Sequence, residues 1–499
     1  MFSLKNLKIF ISFFTIFITC HLNSSANFDF NQNCVRAYQN IFELKLNAAR
    51  QLIVAEKKVR PNNSIIPLLE NYVDYFYLIT TESRTEFERL ERNKSARIDQ
   101  ISDDDKNSPY YLYAQAQINL QWALIRGRYG SYLGAAREIN KANTQLTENT
   151  KKFPGFHPNG IGLGLINVVL GALPDGFLKS TLSTFGLKGN VQNGLNMLDK
   201  LAENLPKSTY EPFYEEAIFN YAYLLSDVAK SSQAYAKTMK YTARIADSSL
   251  LKTYLQAYVC SRKGHTDEAI KILTEKPIGS AYQPFPYLDY LTGIVKLNKL
   301  DLSAAVHFEK YVQTNKDFNY LKDSYLHLGW IALLKGDETG YSSWISKVKN
   351  TGNAYYERDK QATNEANAPL PHKELLKARL LFDGGYLSKG LEVLNNSKAD
   401  DFANTKDKAE YFYRLGRIND GLGKDDAALS NYQNAINIGK NLKYYYAAKA
   451  AVQMGIIYEN KKNVAKAKAS FNIALGMKNE EQKSSIENEA KQGLRRIGG

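Results

Sequence analysis

Cysteine and proline are both scarce in this chain of 499 residues, with 3 and 13 copies respectively. Beyond the N-terminal segment described below, only Cys34 and Cys260 remain, and they stand far apart, so a disulfide framework is excluded. Strand signals are few, and long stretches rich in Ala, Leu, Lys, Asn and Tyr run without interruption. The sequence therefore predicts an all-α protein. Its length exceeds one compact core, which leaves several domains or one repeat array.

Signatures of catalysis and of metal binding are missing as well. The histidines beyond the N-terminal segment are not at metal-ligand spacing from one another: they are His157, His265, His307, His327 and His372. The chain has no strand-elbow serine, phosphate loop or paired redox cysteine. Glu215 and Glu216 are adjacent, which places them on different faces of a helix rather than in a carboxylate pair. We therefore expect no enzyme activity, no cofactor and no metal.

Acidic residues are outnumbered, since 65 Lys and Arg stand against 51 Asp and Glu and the formal net charge is +14. The basic residues are spread along the chain rather than clustered in a stripe that could follow a phosphate backbone. This distribution is typical of a solvated basic surface. We expect no nucleic-acid partner.

Residues 1–26 have the composition of a secretory signal peptide. Two lysines precede the apolar run 9–18, which is too short to span a membrane, and Ser24-Ser25-Ala26 provides a small-residue cleavage site. The alternative is a lipidated Cys20, but Phe17-Ile18-Thr19 before it lacks the small residues expected there. We expect an exported protein that is cleaved after Ala26 and is periplasmic or associated with an outer membrane.

Internal repetition is clearest near the C-terminus. Two glycines are each followed by a small residue, an aromatic residue and another small residue at offsets of 12, 16 and 19: Gly416 by Ala428, Tyr432 and Ala435, and Gly455 by Ala467, Phe471 and Ala474. This pattern resembles the tetratricopeptide repeat, a helix hairpin. The small residue in the first helix lets the first alanine of the second helix approach closely, and the aromatic residue fills the gap to the next unit. One hairpin cannot bury its own apolar face, so such units stack.

Weaker copies extend the repeat upstream, with anchors at positions 222, 257, 293, 329 and 378 before 416 and 455. The one long gap holds a polar, Asn-rich insertion at Lys349–Pro371, which we expect to be a loop or a helix extension. We predict an all-α, tetratricopeptide-like α-solenoid. Its parts are the signal peptide 1–26, an N-terminal helical region 27–150, a Gly/Pro-rich helical hairpin 151–208, about seven repeats over 209–478 and a C-terminal capping helix 479–499.

The glycines of the middle hairpin set it apart from the rest of the chain. Gly160, Gly164 and Gly171 lie on or near one helical face, and each exposed helical glycine costs about 1 kcal/mol relative to alanine. Close backbone packing would compensate that cost. The alternatives are contact with a membrane or lipid, because Ile161–Leu173 is apolar, and a phosphate loop, for which the preceding strand and the downstream partner residues are missing.

A second resemblance rests on the same stretch: Gly162, Gly164, Asn167, Leu170, Leu173-Pro174, Phe185-Gly186-Leu187-Lys188-Gly189-Asn190 and Gly194-Leu195. It resembles the inclusion-body-clearance family, which comprises a fungal protein and its animal tetratricopeptide relatives. Those proteins are associated with mitochondrial outer membranes and with protein or lipid inclusions. Leu187 and Asn190 depart from the family's phenylalanine and aspartate. The resemblance implies a helical repeat fold and peripheral membrane association, and it transfers no catalytic residue.

The remaining candidate for function is the concave groove of the array. In tetratricopeptide proteins the ligand surface comes from the first helix of each hairpin, near the small anchor. Carried over to this chain, the groove residues are Tyr254, Tyr258, Tyr287, Tyr290, Trp330, Arg379, Tyr413 and Arg417. Aromatic and arginine side chains are frequent interface anchors. The alternative is that a tightly wound array buries them, or that the N-terminal helices fill the groove.

Together these features predict a non-enzymatic scaffold or adaptor outside the cytoplasm that binds a protein or a peptide in the groove. The alternative is a glycan-binding surface lipoprotein resembling the starch-utilisation lipoproteins, which are similar in length and also carry tetratricopeptide helices. That alternative requires a lipidated Cys20 and long loops bearing tryptophan, whereas this chain has short connections and 3 tryptophans.

Overall fold

The computed structural model describes residues 28–173, 176–184, 186–315 and 319–498. The predicted signal peptide lies outside these ranges. Within them the regular structure is helical and no residue is in a strand. The chain forms two compact units. The first unit holds the described residues up to 230 together with 243–252 and 277–284, and the second holds 231–242, 253–276 and 285–498.

The helices up to the first unit boundary are α1 Gln32–Phe42, α2 Leu46–Val59, α3 Ile65–Thr81, α4 Arg84–Leu90, α5 Asn93–Ser102, α6 Pro109–Arg128, α7 Tyr132–Lys152, α8 Asn159–Ala172, α9 Phe177–Thr184, α10 Val191–Asn204 and α11 Tyr214–Tyr223. Two short 3₁₀ turns, Leu205–Lys207 and Glu211–Phe213, precede α11, and a π turn, Leu224–Val228, follows it.

The later helices are α12 Ala234–Thr242, α13 Leu250–Arg262, α14 Thr266–Thr274, α15 Tyr287–Asn298, α16 Ala304–Thr314, α17 Leu321–Leu334, α18 Glu338–Asn350, α19 Glu357–Ala366, α20 Lys373–Asp383, α21 Leu387–Asn395, α22 Thr405–Gly421, α23 Asp425–Gly439, α24 Tyr446–Asn460, α25 Val464–Leu475 and α26 Lys483–Arg496. A 3₁₀ turn, Ala399–Asp401, precedes α22.

The predicted repeat is visible in the backbone of the second unit. Seven residues after each anchor from 257 onward, the chain adopts a left-handed conformation at the turn between two helices: Gly264, Leu300, Gly336, Gly385, Gly423 and Lys462. The next residue in every turn donates its N–H to the carbonyl five positions earlier, at 2.8–2.9 Å. This is the Schellman motif that ends a helix. The prediction of stacked helix hairpins in an all-α, tetratricopeptide-like solenoid is confirmed.

The same signature occurs twice in the first unit, where sequence repetition gave no signal. Leu44 between α1 and α2 and Gly130 between α6 and α7 are left-handed and are followed by the same hydrogen bond. Alanines stand seven residues before each turn residue and again in the following helix: Ala37 and Ala49 in one hairpin, Ala123 and Ala135 in the other. All four alanines are buried. Hairpins of this geometry therefore begin near residue 32, well before the predicted start at 209.

The anchor glycines contact the aromatic residue of the second helix. A Cβ atom on Gly416 would lie 2.4 Å from the ring of Tyr432, and one on Gly455 would lie 2.5 Å from the ring of Phe471. The nearest atoms are thus those of the aromatic ring, where we expected the first alanine. Phe471 also meets Gly493 of α26, at 2.4 Å from the position of a Cβ. Its ring fills the space between its own hairpin and the helix that follows.

The glycine-rich helix α8 crosses α10 at close range. A Cβ on Gly164 would lie 2.8 Å from Leu198 and 3.2 Å from the carbonyl oxygen of Gly194. Gly194 in turn faces the Gly164 carbonyl oxygen, 2.6 Å from where its own Cβ would be. On the opposite side, Gly162 receives the side chain of Leu146. The glycines are therefore present because backbone and side chains approach too closely for any larger residue, which agrees with the packing interpretation.

Candidate functional site

Four predicted groove residues form one aromatic ladder in the second unit. Tyr254 and Tyr258 lie one turn apart on α13 with ring centroids 5.5 Å apart, and Tyr254 contacts Tyr287 of α15 at 5.8 Å. Tyr287 contacts Tyr290 at 5.4 Å. The rings of Tyr254, Tyr258 and Tyr287 are half-buried, so the ladder keeps an accessible edge.

Three aromatic residues outside the predicted groove set complete the ladder. Phe285 contacts Tyr254 at 5.3 Å, Tyr320 contacts Tyr290 at 4.6 Å, and Tyr356 contacts Tyr320 at 4.9 Å. They lie just before α15, α17 and α19, outside the helical positions that the repeat pattern samples. The pattern could not have selected them, because it follows positions within the first helix of each hairpin.

The expected stripe of exposed side chains is not continuous. Tyr290, Trp330 and Tyr413 are only 2%, 3% and 4% exposed, and Arg379 and Arg417 are partly buried. Arg417 lies over the ring of Phe382 at 4.7 Å. Tyr413 packs against the rings of Tyr445 and Tyr446 at the start of α24. These two C-terminal residues are thus remote from the ladder contacts and belong to the packing between α20, α22 and α24.

Tight coiling within the second unit explains the burial. The turn at Gly264 touches the turn at Gly385, although two hairpins and the helix α19 separate them in sequence: a Cβ on Gly385 would lie 2.1 Å from the Gly264 carbonyl oxygen. Beside them the hydroxyl of Tyr386 donates to Asp267 at 2.8 Å, and α15 packs against α20. The first helices of successive hairpins therefore close around an internal cavity instead of leaving a wide groove.

That cavity has a volume of about 190 Å³ and is lined by side chains from five helices. Helix α13 contributes Arg262, α15 contributes Asn298, and α17 contributes Asp323, His327 and Trp330 at successive positions of one face. The remaining polar lining comes from α19 and α20: Arg358, Gln361, Glu365, Arg379 and Asp383. Most of the lining is polar, which is unusual for the interior of a helical array.

The insertion at Lys349–Pro371 builds one wall of this cavity. It forms the separate helix α19, packed on α17 and α18, so the expectation of a loop or a helix extension is met only in part. Asp359 is fully buried and accepts the backbone N–H groups of Tyr320 and Asp323 at 2.7 and 3.1 Å. Burial, and then the nearby Asp323 charge, raise the pKa of Asp359 to about 7. This carboxyl group fixes α19 to the start of α17.

Arg379 is held in place by two neighbours on the cavity wall. Its guanidinium donates two hydrogen bonds to Glu365 at 2.8 and 2.9 Å and lies over the ring of Trp330 at 4.8 Å. Such a bidentate, stacked arrangement is specific to arginine. Trp330 and Arg379, both selected from the sequence, are therefore brought together. They also line a second cavity of about 90 Å³ toward α22 and α24.

Asp323 and Arg358 carry opposite charges at the same cavity without forming an ion pair. Asp323 accepts the hydroxyl of Tyr290 at 2.5 Å and lies 3.3 Å from the Nδ1 atom of His327. Burial lowers the pKa of His327, so this ring is neutral at pH 7. Arg358 has no salt bridge or hydrogen bond with any described residue, although Tyr290 and then Asp323 raise its pKa against the opposing effect of burial.

The fold and this site together define a protein built of helix hairpins with a polar cavity on the inner helix faces of its second unit. Among solved structures, the chain is similar to a human IFIT1 dimer with PPP-AAAA, at a TM-score of 0.32 and 12% identity over 95% of each chain. It is also similar to the APC/C hetero-tetramer Cut9–Hcn1, at a TM-score of 0.26 and 10% identity over 93% of this chain and 96% of the other. No protein-family model and no curated protein matches the sequence. The resemblance to the inclusion-body-clearance family stays a prediction.

Three other properties of the described residues bear on function. No group of three or more His, Cys, Asp and Glu side chains among them could hold a metal ion. Both Cys34 and Cys260 are buried free thiols, and burial is the first cause that raises the pKa of each to about 12. None of the described helices is long and apolar enough to cross a membrane.

Proposed function

We propose that this protein is a non-enzymatic scaffold that binds a protein or a peptide against the inner helix faces of its second unit. One observation carries the proposal: the half-buried edge of the aromatic ladder at Tyr254, Tyr258 and Tyr287. Aromatic rings that keep an accessible edge supply large contact area at a low cost in side-chain entropy, which is why they anchor interfaces. The buried Tyr290 supports this surface, because its ring contacts Tyr287 and Tyr320.

Truncating accessible and buried members of the ladder tests this role. Tyr254→Ala and Tyr258→Ala are expected to weaken partner capture, by about 2 kcal/mol for a true anchor, with little change in melting temperature. Tyr290→Ala removes a core ring and is expected to cost about 3–5 kcal/mol of stability instead. Quantitative pull-down from native membranes and thermal melting should be measured on the same samples.

Tyr132→Ala is the matched control, because Tyr132 is 53% exposed on α7 of the first unit. It should leave both capture and melting unchanged. If Tyr254→Ala and Tyr258→Ala capture the partner as well as the parent protein does, the ladder is not the binding surface.

We also propose that the scaffold acts outside the cytoplasm. The support is the signal-peptide pattern of residues 1–26, with cleavage after Ala26. Peripheral association with a membrane is part of this proposal and rests on the sequence resemblance of the glycine-rich hairpin alone. A lipidated Cys20 would instead favour the glycan-binding surface lipoprotein.

A further inference from the structure

Two opposite charges face the cavity of the second unit without neutralising each other directly. Asp323 is 4% exposed, and its direct partners among the described residues are Tyr290 and the neutral His327. Arg358 lines the same cavity, stays partly accessible and forms no salt bridge within the described part of the chain. Charges in a poorly hydrated site are costly unless each has a close partner. A ligand that pairs with both would remove that cost.

The other charged groups of the cavity are accounted for. Arg379 and Glu365 satisfy each other through two hydrogen bonds. Arg262 and Asp383 are exposed at the rim. Three arginines and three acidic residues therefore line the cavity, and their formal charges cancel. A simple anion would meet Asp323 and Glu365, and a simple cation would meet Arg358, so neither suits this lining.

We propose that the cavity binds a zwitterionic small molecule of the amino acid class. Its carboxylate binds the guanidinium of Arg358, and its ammonium group binds the carboxylate of Asp323. The indole N–H of Trp330 is buried and has no hydrogen-bond partner among the described residues, so it is a further donor available to the carboxylate. A volume of about 190 Å³ has room for on the order of ten water molecules, or for one amino acid that displaces them.

This site is separate from the aromatic ladder and goes beyond the proposed scaffold function. The ladder offers half-buried rings to a macromolecular surface, whereas the cavity offers two opposite, separate charges to a small solute. Tyr290 belongs to both, since its ring packs in the ladder and its hydroxyl donates to Asp323.

A ligand series on the unmodified full-length protein tests the proposal. The twenty amino acids are screened by thermal shift, and the amino acid with the largest shift is titrated by calorimetry. Its carboxamide retains only the ammonium group, and its des-amino analogue retains only the carboxylate. Each analogue is expected to bind at least about tenfold more weakly, because each loses one charge-assisted contact. The proposal is overturned if no amino acid shifts the melting temperature, or if the des-amino analogue binds as tightly as the amino acid.

Substitutions test whether Arg358 and Asp323 are the two charged groups that bind the amino acid. Arg358→Gln and Asp323→Asn should each weaken amino acid binding at least about tenfold, and Arg358→Lys should restore part of it. Arg36→Gln and Asp400→Asn are the matched controls, because both side chains are exposed and neither lines the cavity. Tyr254→Ala should lower partner capture and leave amino acid binding unchanged, so failure of one proposal is distinguishable from failure of the other. Should Arg358→Gln not fold, the ligand series still decides.

Discussion

Glu216 is a buried carboxyl group at the centre of the aromatic core of the first unit. It accepts the hydroxyls of Tyr38 and, at 2.8 Å, of Tyr72. Around it the rings of Tyr38, Tyr72 and Phe42 pack against one another at centroid distances of 4.9–5.9 Å. Adjacency to Glu215 predicts only that the two side chains lie on different helix faces, and it gives no sign of this burial.

Burial raises the pKa of Glu216 from 4.5 to about 7, although both tyrosine hydroxyls act in the opposite direction. Between these two values the folded protein holds a proton that the unfolded chain has released. The free energy of unfolding therefore falls as pH rises from 4.5 to about 7, by up to about 1.4 kcal/mol per pH unit for this one group. Glu216→Gln keeps a hydrogen-bond acceptor and removes the titration.

We therefore expect the stability of Glu216→Gln relative to the parent protein to increase across this pH range. Denaturant unfolding at a series of pH values measures it. Glu215, whose pKa burial and then Glu43 also raise to about 7, is present in both proteins and cancels in the difference. Glu148→Gln, at an exposed position on α7, is the control and should show a constant difference. A constant difference for Glu216→Gln too would contradict the prediction.

At the scale of helices and turns, the repeat requires a left-handed backbone conformation at one turn position, whether the residue there is glycine or lysine. Gly423 and Lys462 occupy the same left-handed turn position in consecutive hairpins, with φ of 72° and 57°. A left-handed conformation costs a residue with a Cβ about 1–2 kcal/mol, and glycine escapes that cost. Both positions are exposed, and a Cβ on Gly423 would meet nothing within 4 Å. The backbone alone therefore sets the difference between them.

A reciprocal exchange measures this cost. Lys462→Gly should stabilise the protein by about 1 kcal/mol, and Gly423→Lys should destabilise it by about as much. Lys461→Gly is the neighbouring control, because Lys461 is right-handed with φ of −77°, and it should not stabilise. Urea unfolding of the three variants gives the comparison. Equal effects of Lys462→Gly and Lys461→Gly would show that the left-handed turn is not strained.

The crossing of α8 and α10 supports a second prediction at this scale. Gly164→Leu would place its Cβ 2.8 Å from Leu198, so we expect overpacking and a loss of about 1–3 kcal/mol. Gly127→Leu is the control, since Gly127 lies within α6 and a Cβ there would meet nothing within 4 Å. It should be neutral or stabilising. If Gly164→Leu melts like the parent protein and instead loses binding to liposomes, lipid contact is the function of the hairpin.

At the scale of the whole molecule, the prediction to test is export by cleavage of the signal peptide. Cleavage after Ala26 predicts that the exported chain begins at Asn27, and the intact mass of the protein purified from its native source measures this directly. Cys20→Ser should leave processing unchanged. A chain that begins at an acylated Cys20, and whose processing is lost in Cys20→Ser, would favour the surface lipoprotein instead.

The helices and their repeat can be predicted from the amino-acid sequence. Glycine, alanine and aromatic residues at fixed offsets encode a hairpin locally, because these positions all lie within one helix pair. The same local rule selects Tyr254, Tyr258, Tyr287 and Tyr290, whose rings contact one another along α13 and α15. It did not extend the repeat to the early hairpins that begin with α1 and α6, where Ala37 and Ala123 replace the glycine anchor and no repeated aromatic residue marks the second helix.

Which side chains on those helix faces are buried depends on tertiary packing. The contact of the Gly264 and Gly385 turns closes the second unit around a cavity, which buries Tyr290 and Trp330 and leaves the ladder edge accessible. The cavity brings together Asp323 of a repeat helix and Arg358 of the insertion, two residues with no sequence signal in common. Their proximity depends on how far each hairpin rotates relative to the one before it, and that rotation is a sum of small packing differences that no local pattern encodes.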